Sequence, residues 1–92
     1  MAYKISYSAS IKKDLRHISA DAVDAILKAI RAKLITNPER AGKRLKGKLA
    51  GIYRMRVRIW RVLYTIRGYS VIVLRISHRK SAYRSLYTKR NK

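Results

Sequence analysis

The stretch Gly51–Tyr64, G-I-Y-R-M-R-V-R-I-W-R-V-L-Y, constrains this chain more than any other. Tyr53, Met55 and Val57 alternate with Arg54, Arg56 and Arg58, the period of a strand with one apolar and one polar face. The polar face is a row of guanidinium groups, and Arg61 follows close behind. No acidic residue lies between Glu39 and the C-terminus. Solvated faces normally mix charges of both signs. Arginines this dense repel one another, so the face reads as built for a polyanion rather than for water.

The rest of the chain sharpens that reading. Its 92 residues carry 24 Lys/Arg against 4 Asp/Glu, a formal net charge of +20. Seven of those cations and all four acids fall in residues 1–39, and the other seventeen cations follow unaccompanied. The first part is scaffold and the second the working surface. An apolar fraction of 48% is ordinary for a globular chain, and the length suits a single domain spanning 1–92. A charge this high destabilises the compact state and favours an anionic partner. Nucleic acid and an acidic protein fit. A membrane does not, because no apolar run approaches the roughly 20 residues that span a bilayer. The N-terminus lacks a signal-peptide core. The absence of cysteine excludes disulfides and a Cys/His zinc site, since only His17 and His78 remain. The chain reads as a cytoplasmic protein needing no metal or cofactor.

Taken in order, Tyr3–Tyr7 alternates as a half-buried strand does. The serines of S-A-S are good N-cap residues ahead of an apolar stripe of Ile11, Leu15 and Ile18. A second helix restarts at Ser19, with Asp21 and Asp24 near its positive end. Val23, Ile26, Leu27, Ile30 and Leu34 form its core face, and Asn37-Pro38 ends it. His17, near Asp14, reads as an exposed or capping histidine. The glycine-punctuated segment from Glu39 to Gly51 reads as a loop anchored by Leu45 and Leu49. Its Lys43, Arg44, Lys46 and Lys48 admit two readings, a plain solvated run or a phosphate-gripping loop. Strands are expected over Ile52–Arg58, Trp60–Arg67 and Tyr69–Ile76. Arg67-Gly68 makes a tight turn, whereas no glycine marks the turn near Arg58-Ile59. Residues 88–92 read as a frayed tail. The order β-α-α-β-β-β is an α+β domain, a helical hairpin on one face of a largely antiparallel sheet of about four strands.

Four motifs in sequence, N-P-E-R-A-G-K-R-L-K-G, G-I-Y-R-M-R-V, W-R-V-L-Y and H-R-K-S-A-Y, together resemble the RelE/ParE superfamily of toxin–antitoxin toxins. The resemblance covers nearly the whole chain. It implies one of two activities: ribosome-dependent cleavage of messenger RNA in the A site, as in RelE-like members, or poisoning of DNA gyrase, as in ParE-like members. It also implies an acidic, RelB-like antitoxin that wraps the toxin in a hetero-oligomer. The family's active site is a basic cluster with one tyrosine. Its two strand lysines fall on Arg54 and Arg56, its next arginine on Arg61, its C-terminal arginine on Arg79 (or, by spacing, Lys80), and its tyrosine on Tyr83.

Cleavage by 2′-OH attack requires removal of the 2′ proton, stabilisation of the pentacovalent phosphate and protonation of the leaving 5′ oxygen. Arg61 and Arg79 suit bidentate grip on phosphate oxygens. Lys80, Arg84 and Arg58 add to the nucleic-acid-binding surface. Tyr83 suits base stacking or proton transfer. Arginine at position 56 is a poor general base because it stays protonated, which moves that role to His78 or Tyr83. His78 equally reads as a surface histidine beside a phosphate-binding arginine. Trp60 reads as core or rim packing rather than as a base-stacking platform. The leading expectation is a ribosome-dependent endoribonuclease toxin. Its rivals are a gyrase poison without nuclease activity and a non-catalytic nucleic-acid-binding module.

Overall fold

Two helices of different quality cover one face of the sheet in the computed structural model, which describes residues 2–78. The longer, α2 (Ala20–Leu34), is started by Ser19, whose hydroxyl accepts the Ala22 N–H at 3.3 Å. Ala22, Ile26, Ile30 and Leu34 are its buried stripe, with Val23 and Leu27 half-buried beside it. The shorter, α1 (Ile11–Arg16), buries Ile11 and ends on His17 as its C-cap. Ser10 stands at the N-cap without a capping hydrogen bond. Instead the Ser8 and Ser10 hydroxyls both donate to the Leu74 carbonyl, at 2.9 and 3.0 Å. The serines expected to cap the helix tie it to the sheet.

The sheet has five strands in the order β1 (Lys4–Tyr7), β5 (Ser70–His78), β4 (Trp60–Arg67), β3 (Tyr53–Val57), β2 (Lys43–Arg44). Only the β1–β5 pair is parallel. The α+β architecture expected from the sequence holds, with one more strand than expected. β2 lies in the segment read as a loop. It follows a short helix, α3 (Pro38–Ala41), which takes Pro38 in its first turn, where the missing N–H costs nothing.

One tyrosine explains why the chain places β2 where it does. Tyr64 is fully buried, stacks on Tyr53 at 5.4 Å between ring centroids, and donates its hydroxyl to the Pro38 carbonyl at 2.6 Å. Burial, and secondarily Tyr53, push its pKa well above the usual tyrosine range, against a hydrogen bond from the Gly42 backbone. Gly42 sits against the Tyr64 hydroxyl. A Cβ there would lie 2.7 Å from the Arg54 carbonyl oxygen and closer still to the Tyr64 hydroxyl. Gly42 is thus required for space and not for backbone freedom, its φ being −125°.

The other end of the sheet is closed by Asp14. β1 stops at Tyr7, opposite Val73, leaving the last residues of β5 without a strand neighbour on that side. A bulge in the β4–β5 pairing between Leu63 and Tyr64 skips Leu74, whose carbonyl takes the two serine hydroxyls. Past it, the Asp14 carboxylate accepts the Ile76 N–H at 2.9 Å and pairs with Arg75 at 3.1 Å. Among the described residues no helix is long and apolar enough to cross a membrane.

Candidate nucleic-acid interface

Strand register decides which cations share a face. Tyr53 pairs with Tyr64, Met55 with Val62 and Val57 with Trp60, and these residues pack toward the helices. The intervening positions point to the opposite side. There Lys43 lies across from Arg54, Arg54 from Leu63, and Leu63 from Arg75. A second row runs Arg56–Arg61–Ser77. Adjacent strands are about 4.8 Å apart, so these side chains are near neighbours. Like charges directly opposite one another destabilise a sheet, yet Arg56 faces Arg61 and Lys43 faces Arg54. None of these four has an acid as its cross-strand partner.

The arginines differ in how they are held. Arg54 and Arg61 are half-buried, their stems lying along the sheet, whereas Arg56 is exposed. Arg58 is exposed at the β3–β4 turn and adopts φ +57°, the one positive φ among the described non-glycine residues. The corresponding first turn residue between β4 and β5 is Gly68, at φ +58°. Both are two-residue hairpins that need positive φ at that position. The first meets the requirement with an arginine, at a cost in backbone strain.

The structure sorts the residues singled out from the sequence. It gathers Lys43, Arg54, Arg56 and Arg61 on one face, with Arg58 at its rim. Arg44, opposite Tyr53, belongs to the other face. Lys48 is exposed in the following turn, Gly47–Leu49, and Lys46 is exposed just ahead of it. That loop is held to the sheet by the Thr65 hydroxyl on the Gly51 carbonyl, at 2.8 Å. His78 pairs with Trp60 and makes an edge-to-face contact with it at 5.8 Å, so register turns it toward the helix side, away from the arginines. Arg79, Lys80, Tyr83 and Arg84 lie outside the described residues. The sequence reading missed Arg75, in the Lys43–Arg54–Leu63 row. Its signal was a single charge inside the apolar run V-I-V-L-R-I, and its charge is balanced by Asp14.

The described part of this face can bind phosphate at several points and stabilise added negative charge. Lys43, Arg54, Arg56, Arg58 and Arg61 bring no carboxylate or imidazole, and Asp14, beside Arg75, is held by that arginine and by the Ile76 N–H, so the described part of the face offers no free general base. No group of three or more His, Cys, Asp or Glu gathers anywhere among the described residues in a way that could hold a metal ion.

Comparison with known proteins agrees with this architecture. Residues 5–83 match the family model described as the ParE toxin of type II toxin–antitoxin systems, parDE. The chain is 30% identical over 86 residues to Toxin RelG of Mycobacterium tuberculosis, covering 91% of this chain and 99% of that protein. It resembles the crystal structure of the toxin–antitoxin complex RelBE2 from the same organism with a TM-score of 0.81 and 28% identity, over 86% of this chain and 100% of that one. A double arginine-to-alanine mutant of the Escherichia coli toxin RelE in the free state superposes with a TM-score of 0.76 at 17% identity, covering 96% of this chain and 93% of that one, a likeness of fold.

Proposed function

This chain belongs to the ParE toxin family of type II toxin–antitoxin systems, and from that premise we propose that it arrests growth by cutting messenger RNA in the ribosomal A site. The observation that carries the reading is the pairing of like charges on the cationic face, where Arg56 stands against Arg61 and Lys43 against Arg54. Such pairings destabilise a sheet, and a bound polyanion would offset that cost. Arg54, Arg56 and Arg61 hold the scissile and flanking phosphates and stabilise the charge of the pentacovalent phosphorane, which is often what lowers the barrier most. Arg79, or Lys80 in its place, adds a further phosphate contact. Proton transfer falls to Tyr83, because the register turns His78 away from the arginine rows. A site strong in charge and poor in bases relies on the ribosome to orient the 2′ hydroxyl and exclude water, and positioning of that kind can supply much of the acceleration.

The same charge implies the partner. An acidic antitoxin segment that folds over the face would neutralise it and block RNA. The RelBE2 complex of M. tuberculosis is a toxin–antitoxin assembly.

The name of the matching family model favours one rival, a gyrase poison without nuclease activity. Brief induction in growing cells separates the two. The mRNA-cleaving reading expects protein synthesis to stop within minutes while the chromosome stays intact. Double-strand breaks with translation continuing would replace it with the gyrase reading.

A further inference from the structure

On the helix side of the sheet, behind the arginine rows, the fold brings together three aromatic residues that are far apart in sequence. Trp60 opens β4, His78 closes β5, and His17 caps α1. They line one open pocket of about 290 Å³ with Asp14, Ile18 and Ile76. Among the described residues no lysine or arginine lines it. Its one carboxylate, Asp14, is engaged by Arg75 and the Ile76 N–H and 7% exposed, so it presents little charge to a ligand. What its described lining offers besides is an indole, two imidazoles, Ser77 and aliphatic walls. That combination suits a flat heteroaromatic ring, which needs a stacking surface and in-plane hydrogen-bond partners. The volume is at the lower limit for ligand pockets, roughly 300 Å³, and accommodates a single ring system rather than an extended ligand.

Position points the same way. Trp60 and Arg61 are consecutive, and alternation sends one to each face of the sheet. The pocket therefore begins one residue from the Arg56–Arg61 row, at the sheet end where the β3–β4 turn leaves a short way round. The turn itself presents exposed Arg58 and Ile59, the latter 46% exposed. We propose that this pocket takes one unpaired base of the RNA whose phosphates lie on the arginine rows, stacking it on Trp60 with His17 at its edge. The inference rests on the RNA-binding reading above. It adds a site that selects bases to a surface that otherwise reads only charge.

Trp60 is the only tryptophan in the chain, so its fluorescence reports this pocket alone. The probes are a short single-stranded RNA made uncleavable by 2′-O-methylation and an abasic strand of equal length. Binding is followed separately by anisotropy of an end label. The base-bearing strand should quench Trp60 in step with its binding, and the abasic strand should bind without quenching. His17→Ala, at an exposed position, should weaken the base-bearing strand about fivefold and leave the abasic strand unchanged. Trp60→Leu should weaken it by roughly tenfold or more. Equal quenching by both strands, binding of the base-bearing strand without quenching, or equal weakening of both strands by His17→Ala would each overturn the proposal while leaving RNA binding intact. If neither strand bound, the RNA-binding reading itself would fall, and this inference with it.

Discussion

Gly42→Ala should be far more damaging than its chemistry suggests. Alanine adds one methyl group, and at φ −125° the backbone accepts it without strain. The cost is steric. The new Cβ would meet the Arg54 carbonyl oxygen at 2.7 Å and its carbon at 3.0 Å, with the Tyr64 hydroxyl closer still. The Arg54 carbonyl belongs to the β3 backbone and cannot yield, so β2 must lift away. Lifting weakens the Lys43–Arg54 pairing and disturbs the buried hydrogen bond from Tyr64 to Pro38. Overpacking and a compromised buried hydrogen bond together cost about 3 kcal/mol. At about 4–8 °C per kcal/mol for a domain of this size, the melting temperature should fall by at least about 10 °C. Thermal unfolding followed by circular dichroism measures this directly. Tyr64→Phe removes the atom closest to the added methyl, so the double variant should lose less than the sum of the two single changes. A Gly42→Ala protein melting within a degree or two of the parent would refute the claim that Gly42 is fixed by Tyr64 and Arg54.

Further consequences can be checked with the same protein. Arg58→Gly should relieve the strain at φ +57° and raise stability by about 1 kcal/mol, while weakening binding to single-stranded RNA. Opposite changes in melting temperature and affinity are the signature. Asp14→Asn leaves Arg75 without its balancing charge at a largely buried position, and chemical denaturation should show a loss of about 2–3 kcal/mol. Arg56→Ala should weaken RNA binding and lower the slope of log affinity against log salt by about 0.7, the value for one phosphate contact on a single strand. The pKa of Tyr64 is raised in the fold, so the stability linked to its protonated form is complete below the ordinary tyrosine value near 10 and is lost as pH rises above it. Tyr64→Phe should be less stable at neutral pH but show a shallower alkaline loss.

What the sequence made legible was whatever repeats over a short span. The alternation around Arg54 and Arg56 located β3 and its charged face, and the apolar stripe of α2 located the core. The first turn was placed correctly at Arg58-Ile59 even without a glycine, because the strands on either side bounded it. What stayed hidden depends on residues meeting from far along the chain. β2 is two residues long, too short for any periodic signal. It exists because Gly42 allows close approach to Tyr64, more than twenty residues later. Asp14 entered the sequence reading only as a neighbour of His17, and its function follows from β1 ending before β5 does. Trp60, His17 and His78 were read singly as packing, cap and candidate base, and their convergence is visible only in the folded chain. The segment carrying Arg79 and Tyr83 lies outside the described residues, so that half of the expected site rests on the family resemblance.

If this face grips RNA without a strong base of its own, the ribosome must complete the reaction. Incubating purified protein with one messenger RNA, naked and again engaged in a ribosome with an open A site, tests it most directly, with primer extension to map new ends. The expected result is a new end at the A-site codon in the engaged message, lost in Arg61→Ala, and an intact naked message over the same time. Comparable cleavage of both, or of neither, would contradict it.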